Sequence, residues 1–459
     1  MKRRDFFSSA TAATLCGAVP TTAASQTPKT PITPQSSTAA VLPDKLAGMT
    51  LPQLRQDYHD RLYKRYLPFW DKGGYDRENG GVMCELNDDG SVAVDMKYIW
   101  YQGRAVWVYS YLYNNFGKDP RWLAMAKNIR DFMVKHMHVG DGRWNQEVRR
   151  DGTLISGVGE NIYGALFAAV GLVQYAQATG NEEDLDLAEL SINTSMKTYD
   201  KPNYQAGKDA SGADVKVDVA DIGGLRPHGH SMCFVWTLTQ LLAARGNPAM
   251  EKLLAHHVDA IINRYWNPEF GIQNELLAHD YSRLPQTAAH MYAGHSLESL
   301  WMVMQEALRI KDRALFDTAK GRIHRILEMC WDYVFDGFAD EDFYVFGDEK
   351  YKRGPSYNVK TMWANTEILI ACMIVMEYTG EDWAKMWYER ARHYLVKNIA
   401  NTPTGIWRQA VDRRGKDVKR IGISVHRKGN FHQPRMLMMN MLSLDRMIAN
   451  RGRLTPFPG

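Results

Sequence analysis

The sequence predicts an all-α protein, an (α/α)6 barrel in which six helical hairpins close into a toroid and short β-hairpins occupy the long loops on one rim. Three observations predict this fold. About twelve segments carry apolar residues at helical spacing. Short connectors recur at intervals of roughly 65 residues. Long links rich in glycine and tryptophan separate the resulting pairs, so short and long connections alternate along the chain.

Five short connectors join the helical patterns in pairs. Each connector ends one pattern and opens the next, because apolar residues at three- and four-residue spacing lie on both sides of it. The connectors are FGKDPRW from Phe116, TGNEED from Thr179, RGNPAM from Arg245, RIKDRA from Arg309 and TGEDW from Thr379. The patterns cover 46–66, 96–116, 119–138, 160–178, 182–198, 229–244, 248–265, 289–309, 313–334, 360–378, 382–399 and 433–449.

The long links predict β-hairpins. Segments such as GRWNQEVRRDGTL, GIWRQAVDRRGKD and GGVMCELNDDGSV place a turn signal between short alternating stretches. In a closed toroid these links all lie on one rim. An open solenoid of helical repeats is the alternative fold, but solenoids keep their loops short on both faces.

The N-terminus is typical of an exported protein. Arg3 and Arg4 precede an apolar stretch of modest hydrophobicity, which ends in the small residues TTAAS. This pattern predicts a twin-arginine signal peptide over 1–24 and a periplasmic location, with a short disordered basic tail as the alternative. The Pro-, Ser- and Thr-rich residues 25–42 predict a linker, and the barrel domain is expected over 43–455.

Composition and charge exclude several classes of partner. The formal net charge is only +4 over 459 residues, and no basic stripe follows the N-terminus, so nucleic acid is not expected as a partner. No later apolar run is long enough to anchor the chain in a membrane. The chain shows no Walker-type phosphate loop and no metal-ligand spacing, so neither a cofactor nor a metal is predicted. The cysteines after the signal, which look like ordinary buried thiols, are Cys84, Cys233, Cys330 and Cys372.

The candidate site lies where helices begin after long links. In a closed barrel these helix starts converge on one rim of the central cavity, and ionisable or aromatic side chains there indicate a ligand site. A lone histidine or glutamate at such a place is more often a helix cap or a satisfied buried group, and His228 is interpreted in that way. The candidates are Trp100, Arg104, His230, His295, Glu298, Trp301, Trp363, Glu367, His432 and Arg435.

Four of these helix starts carry a family resemblance. With the segments KYIWYQGRAVW, AGHSLESLW, KTMWANTE and FHQPR, the chain resembles the N-acylglucosamine 2-epimerase family, the renin-binding-protein-like branch of the (α/α)6 barrels. The resemblance covers about residues 50–450. Ala293 stands where the family usually has proline, and Asn365 where histidine is common.

The resemblance implies roles for the candidates. The family's two acid/base histidines fall on His295 and His432, and Arg104 matches a substrate-binding arginine. His230 lies in a region where cellobiose 2-epimerases and aldose–ketose isomerases of the same superfamily also carry a histidine. The residues that match positions binding or orienting the sugar are Glu298, Trp301, Glu367 and Arg435.

These side chains suit inversion of C2 in an aldose without a metal. The reaction removes the C2 proton, stabilises an enediolate-like intermediate and returns a proton to the opposite face, so two bases suffice. Histidine fits because its ordinary pKa lies near neutrality. Arg104 would stabilise the charge that develops on O1, and Glu298 would fix the tautomer of His295 or bind a hydroxyl. The flat apolar faces for the sugar ring are Trp100, Trp301, Trp363 and Phe431.

Other functions stay open at this point. An aldose–ketose isomerase or a cellobiose 2-epimerase would use the same barrel, and a glycoside hydrolase would use two carboxylates such as Glu298 and Glu367. A sugar-binding protein without catalysis is a further alternative. The expected substrate is an N-acyl-hexosamine, N-acylglucosamine or N-acylmannosamine. The sequence leaves open which histidine serves which face, whether subunits form a homodimer, and whether the insert 200–227 covers the cavity.

Overall fold

Two concentric rings of helices form the protein in the computed structural model. The structure describes residues 42–159, 161–204, 223–338, 343–344, 359–418, 424 and 426–459. Within these ranges, twelve helices of eleven residues or more alternate along the chain between an outer and an inner ring. The ring closes, so the predicted (α/α)6 barrel is confirmed and the open solenoid is wrong.

The inner ring consists of helices that are buried on nearly every face. Each packs against the next inner helix, and the last packs against the first. A helix surrounded by protein needs no polar face, which explains why buried residues follow one another almost without interruption in these segments. The inner helices are α2 (Ile99–Asn115), α4 (Tyr163–Thr179), α6 (His228–Ala244), α8 (Ala293–Ile310), α10 (Met362–Thr379) and α12 (His432–Ala449).

The outer ring consists of amphipathic helices that bury one face. They are α1 (Leu51–Arg61), α3 (Pro120–His136), α5 (Glu182–Tyr199), α7 (Pro248–Asp259), α9 (Arg313–Cys330) and α11 (Asp382–Tyr394). Three of them continue with π-helical turns. Helix α1 runs on through Leu62–Tyr66, Leu67–Phe69 and Trp70–Gly74, helix α7 through Ala260–Arg264, and helix α11 through Leu395–Ile399.

The short connectors act as helix stops and starts. Gly180 and Gly380 end α4 and α10 in the left-handed conformation, with φ of 74° and 66°. Lys311 takes the same conformation after α8 although it carries a side chain. Four outer helices then begin with a side chain that accepts a hydrogen bond from a backbone N–H of the first turn. These caps are Asp119, Asn181, Asn247 and Asp312.

Short strands line the rim that carries the long links. GRWNQEVRRDGTL contains the predicted hairpin, strands β4 and β5, whereas the strand in GIWRQAVDRRGKD, β13, pairs with the distant β12. GGVMCELNDDGSV forms the isolated bridges Tyr75–Val82, Leu86–Val92 and Glu85–Arg427 instead of a regular hairpin. The strands are β1 (Lys45–Leu46), β2 (Met49–Thr50), β3 (Met96–Tyr98), β4 (Glu147–Arg149), β5 (Leu154–Ser156), β6 (Arg226–Pro227), β7 (Trp266–Asn267), β8 (Ile272–Gln273), β9 (Leu276–Leu277), β10 (His290–Met291), β11 (Phe343–Tyr344), β12 (Val359–Thr361) and β13 (Ala410–Asp412). The antiparallel pairs are β1–β2, β3–β4, β4–β5, β6–β9, β7–β8, β10–β11 and β12–β13.

A buried lysine fastens the strand before α2 to two loops. Lys97 Nζ lies 2.9 Å from Asp76 Oδ2 and donates to the carbonyl oxygen of Arg150, whose side chain also binds Asp76. Burial alone would raise the pKa of Asp76, but hydrogen bonds from Arg150 and Lys97 hold that pKa below its ordinary range. The same arrangement precedes α10, where it is built from Lys360, Asp332 and Arg413.

The two ends of the described chain meet. Outer helix α1 packs against inner helix α12, and the backbone N–H of Leu42 donates to the carbonyl of Gly452 over 2.9 Å. The residues from Ala40 to Gly459 form one compact unit. The predicted signal peptide 1–24 and nearly all of the linker 25–42 lie outside the described residues and stay predictions. None of the described helices is both long and apolar enough to cross a membrane.

Candidate active site

The N-terminal ends of the six inner helices surround one cavity. The space free of protein atoms, including the mouth, is about 1150 Å³, which is ample for a small-molecule ligand. Its wall consists of aromatic rings and a few charged groups. The sequence predicted such side chains at the helix starts that follow the long links. The predicted site residues that line it are Trp100, Arg104, His295, Glu298, Trp363, His432 and Arg435.

Two further predicted residues lie directly behind this wall. Trp301 and Glu367 are fully buried, and the indole N–H of Trp301 donates to Glu367 Oε2 over 2.8 Å. The other carboxylate oxygen of Glu367 lies 3.0 Å from Nδ1 of His432. Glu367 therefore positions a residue of the wall and is not itself exposed to the cavity.

A buried guanidinium joins the groups around His432. Nη2 of Arg435 contacts Glu298 Oε1 at 2.5 Å, Glu367 Oε1 at 2.8 Å and His432 Nδ1 at 3.1 Å. Nδ1 cannot both accept from Arg435 and donate to Glu367. Because Arg435 has two carboxylates closer than the imidazole, Nδ1–H donating to Glu367 is the consistent tautomer. Nε2 of His432 is then the ring nitrogen without a hydrogen, able to accept a proton.

This network keeps the arginine charged and the histidine neutral. Burial alone would lower the pKa of Arg435, but Glu367 and Glu298 raise it above its ordinary value. Burial also lowers the pKa of His432 well below its ordinary value, and the positive charges of Arg435 and Arg104 add to that effect. A neutral imidazole at physiological pH is a proton acceptor, so His432 has the state required of a base.

The same network brings together groups that spacing in the sequence did not suggest as metal ligands. Candidate ligand atoms of Glu298, Glu367 and His432 lie within 4.8 Å of one another. Arg435 Nη2 contacts all three residues, however. Its guanidinium already occupies the position between the two carboxylates, and a divalent cation would have to displace it. The residues present therefore do not fit a metal ion in this arrangement.

The second histidine, His295, has its own carboxylate. Nδ1 of His295 lies 3.1 Å from Oε1 of Glu275, a buried residue between β8 and β9. Glu298 was predicted to fix the tautomer of His295 or to bind a hydroxyl, and its carboxylate pairs with Arg435. Both histidines thus direct Nδ1 toward a carboxylate, Glu275 for His295 and Glu367 for His432.

One tryptophan lies between the two histidines. The ring centroid of Trp363 is 5.6 Å from that of His295 and 5.5 Å from that of His432. Tyr292 stacks on His295 at 4.4 Å and on Trp363 at 5.9 Å. These flat rings form an apolar surface against which a sugar can rest with a histidine at each end.

Arg104 is a cation held by aromatic rings. Its guanidinium lies 4.0 Å from the ring of Phe167, 4.8 Å from Trp100 and 5.1 Å from Phe431. In the described part of the chain, no carboxylate oxygen lies within 4.0 Å of it. Burial lowers its pKa to about 10, so the group is still charged at neutral pH. A cation without an ionic partner in a cavity wall suits a negative charge that develops on a ligand.

Comparison with known proteins decides the family. The family model described as N-acylglucosamine 2-epimerase matches residues 80–425, most of the chain and most of the barrel. The chain belongs to the N-acylglucosamine 2-epimerase family. The match spans all four segments that carried the resemblance except FHQPR, which follows directly after it.

Relatives and solved structures agree with this assignment. The N-acylglucosamine 2-epimerase of Mus musculus is 24% identical over 411 residues, which cover 86% of this chain and 92% of that protein. A sugar epimerase from a ruminal bacterium superposes with a TM-score of 0.70 at 16% identity, covering 85% of this chain and 98% of that one. The cellobiose 2-epimerase from Bacillus thermoamylovorans B4167 gives a TM-score of 0.69 at 17% identity, covering 85% and 99%. The protein is thus an isomerase of the epimerase type.

His230, the last of the predicted site residues in this member of the N-acylglucosamine 2-epimerase family, does not line the cavity. His230 is 1% exposed and lies behind Tyr163, with ring centroids 4.5 Å apart. Its Nδ1 is 3.3 Å from the hydroxyl of Tyr204. Burial lowers the pKa of His230 to about 3, with a smaller contribution from the charge of His295. The structure places His230 among tyrosines that pack against α6, outside the lining of the cavity.

Several residues of this family member's site gave no signal in the sequence. Glu275 lies in a loop without periodicity, and Gln409 follows a predicted hairpin stretch. Asn430 lines the cavity with an Oδ1 that has no hydrogen-bond partner among the described residues, while its Nδ2 donates to Tyr101. Cys233, interpreted as an ordinary buried thiol, is buried but also lines the cavity.

Proposed function

We propose that the protein inverts C2 of an aldose by passing the C2 proton between substrate and two histidines, His295 and His432. The observation that carries this proposal is the pair itself. Each ring has Nδ1 on a buried carboxylate, and each lies about equally far from Trp363 in the wall of one cavity. Two bases at opposite ends of one aromatic surface suit a reaction that removes a proton on one face and returns it on the other.

The steps follow from the groups in the wall. In the open-chain aldose, a neutral histidine takes the C2 proton, and the electron pair of the C–H bond forms a C1–C2 double bond while O1 becomes an anion. Arg104 stabilises that anion through charge. The other histidine, in its protonated state, then gives a proton to the opposite face of C2 and the carbonyl reforms. The two histidines exchange protonation states in each turnover.

The proposed substrate is an N-acyl-hexosamine, N-acylglucosamine or N-acylmannosamine. The support is the family match over most of the chain and the similarity to the mouse N-acylglucosamine 2-epimerase. Cellobiose 2-epimerases also match this chain, at 18% identity over 366 residues for the protein of Bacteroides fragilis. A free or terminal hexose is therefore the second candidate substrate.

Two alternative reactions have weaker support from the geometry. A glycoside hydrolase needs two separate carboxyl groups at least about 5 Å apart. Carboxylate oxygens of Glu298 and Glu367 lie within 4.8 Å and share one arginine, so neither is placed as an independent acid or nucleophile. An isomerase that relies on His230 would need that ring in the cavity, but it lies behind Tyr163.

Hydrogen exchange at C2 tests the proposal directly. Purified protein would be incubated in deuterated water with N-acetylglucosamine, N-acetylmannosamine, glucose, mannose and cellobiose, and the C2 proton followed by NMR. We expect loss of the C2 signal together with formation of the C2 epimer for the N-acyl sugars. Appearance of a ketose would favour an isomerase, cleavage of cellobiose a hydrolase, and no change in any sugar would contradict the proposal.

We also propose that the protein is exported to the periplasm by the twin-arginine pathway. The support is the Arg3–Arg4 pair, the weakly apolar stretch and the linker that follows. Changing both arginines to lysine keeps the charge but should leave the precursor in the cytoplasm, as fractionation and immunoblotting would measure. A matched change of Lys2 to Arg should not affect export. Export of the double-lysine variant at the normal level would contradict the proposal.

A further inference from the structure

Glu275 is a buried carboxylate that belongs to none of the sequence motifs. It is 5% exposed, and its side chain reaches His295 Nδ1 through Oε1 at 3.1 Å. Its backbone is fixed, because its carbonyl accepts the N–H of His228 over 2.8 Å at the start of α6. The adjoining pair β6–β9 holds the loop against that helix. The loop therefore presents the carboxylate to His295 in a defined position.

The charge of Glu275 has no resident cation to compensate it. In the described part of the chain, Oε2 makes no hydrogen bond, and the one further titratable group within 4.0 Å is His228. Its Nδ1 is 3.9 Å away, too far for a hydrogen bond. Burial, and next the charge of His295, lower the pKa of His228 to about 3, so that ring is neutral. Among the described residues, His295 is therefore the group that can bring a positive charge to Glu275.

The carboxylate behind the other histidine is in the opposite situation. Glu367 receives Arg435 Nη2 at 2.8 Å and Trp301 Nε1 at 2.8 Å. Arg435 already lies against it, and the positive charges of Arg435 and Arg104 both disfavour a further cation at His432, so Glu367 orients a neutral His432.

We infer that Glu275 is the positioning residue of His295, and that its uncompensated carboxylate makes His295 the histidine that holds the proton between turnovers while His432 waits as the base. This inference rests on the proposed function for the catalytic meaning of the two states. It assigns the first proton abstraction to His432 and the first proton donation to His295. The consequence is a preferred starting epimer, the one whose C2 proton faces His432.

His295 also faces titratable groups on three of the described helices. From α6 it faces His228 and His230, both neutral because burial depresses their pKa. From α12 it faces His432, whose pKa is also depressed. On its own helix, Glu298 is engaged by Arg435. Glu275 contacts the ring of His295 directly, so removal of its charge should change the titration of His295.

Nuclear magnetic resonance of histidine-labelled protein tests this inference without substrate. The ring signals of His295 would be assigned by their loss in His295→Asn and followed against pH in the wild type, Glu275→Gln and Glu306→Gln. Glu306 is a matched control, since it is a 3% exposed glutamate on the same helix α8 that pairs with Arg309. We expect the His295 midpoint in Glu275→Gln to move at least about one pH unit toward acid. The midpoint in Glu306→Gln should not move, and an unchanged midpoint in Glu275→Gln would overturn the inference.

Kinetics with each epimer separates this inference from the proposed function. If the wild type exchanges C2 hydrogen, Glu275→Gln should lower kcat at least about tenfold with little change in KM and shift the acid limb of the rate profile. Glu275→Asp, which restores the charge, should recover part of the loss. Equal loss in kcat for Glu275→Gln and Glu275→Asp without a shifted pH profile would reduce Glu275 to a structural role. A wild type that exchanges no sugar proton would reject the proposed function, while the titration would still decide the pairing of Glu275 with His295.

Discussion

The two histidines of the cavity each have Nδ1 on a carboxylate, but the residues that surround the two carboxylates differ. His432, Glu367, Arg435 and Glu298 all lie on inner helices, and one guanidinium binds both carboxylates. The carboxylate of His295 comes instead from the loop between β8 and β9, with no cation beside it. Around His432 the two carboxylates share a guanidinium, whereas among the described residues no arginine or lysine lies beside the carboxylate of His295.

The difference matters because a two-base reaction needs unequal bases. Before each turnover one histidine must be neutral and the other protonated. Two identical surroundings would favour both rings in the same state, and half of the molecules would then lack either an acid or a base. The paired side keeps His432 neutral, and the unpaired side stabilises the cation at His295. In the proposed reaction, the different groups around Glu275 and Glu367 set which histidine is protonated at the start, although the two proton transfers are chemically alike.

Loss of the guanidinium should have the largest effect on the His432 side. Arg435→Met leaves Glu298 and Glu367 buried without a cation, and removing one partner of a buried ion network costs about 3–5 kcal/mol of stability. Urea unfolding would measure the loss. Arg121→Met, which breaks an exposed ion pair with Asp119, is the control and should cost less than about 1 kcal/mol. Similar losses for both variants would mean that the network is not essential to folding.

Removal of either histidine should stop net epimerisation and leave the fold intact. We expect His295→Asn and His432→Asn each to lose at least about a hundredfold in rate, the lower range for general acid–base groups. At least one should retain C2 hydrogen–deuterium exchange with a single epimer, since the remaining ring can still abstract a proton. NMR of each pure epimer in deuterated water measures both effects. If His230→Asn proves as damaging while His432→Asn is mild, an arrangement centred on His230 and His295 becomes the better account.

Arg104 offers a test of catalysis separated from stability. Arg104→Met removes the charge that would stabilise O1, so kcat should fall by about a hundredfold. The free energy of unfolding should not decrease, because the guanidinium has aromatic contacts but no carboxylate partner among the described residues. Parallel kinetics and urea unfolding check both parts. A large loss of stability with a small loss of kcat would show that Arg104 is structural.

Acid should weaken the His295 side through its buried neutral histidines. For a histidine whose folded pKa is depressed, the unfolded chain binds more protons, so stability falls as pH drops below about 6.5 and continues to fall toward the folded pKa. His228 and His230, with pKa values of about 3, should each contribute about 2 kcal/mol of lost stability between pH 7 and pH 5. Urea unfolding of His228→Gln at both pH values should show a smaller decrease than the wild type. The exposed His393→Gln is the control and should not alter the pH dependence.

The sequence predicted the helix-borne part of the site because those residues share local spacing. His295, Glu298 and Trp301 recur at three-residue steps on one helix, and His432 and Arg435 do so on another. Their partners could not be predicted in the same way. Glu298 pairs with Arg435, which is 137 residues away, and that pairing depends on how the barrel closes. Glu275 belongs to a loop with no periodic pattern, so only the folded structure connects it to His295.

The orientation of residues on inner helices was also beyond sequence reasoning. A helix that is apolar on every face has no amphipathic signal to show which side meets the cavity. His230 and Cys233 lie on the same helix α6, and the structure turns the cysteine toward the cavity and the histidine away from it. The fold itself was easier to predict, since the caps and left-handed residues of the short connectors are local. The pairing of β12 with β13 was missed because it joins segments about fifty residues apart.

The meeting of α1 with α12 has a consequence for how the protein is made. The final inner helix carries His432 and Arg435, and it packs against the first outer helix to close the ring. During synthesis the earlier helices leave the ribosome while the seat for the last helix is still empty. Glu298 and Glu367 then lack the guanidinium of Arg435, and the cavity lacks the last of its six surrounding helices. The two histidines proposed as the catalytic pair therefore come together only when the last inner helix is in place, in the final step of biosynthesis.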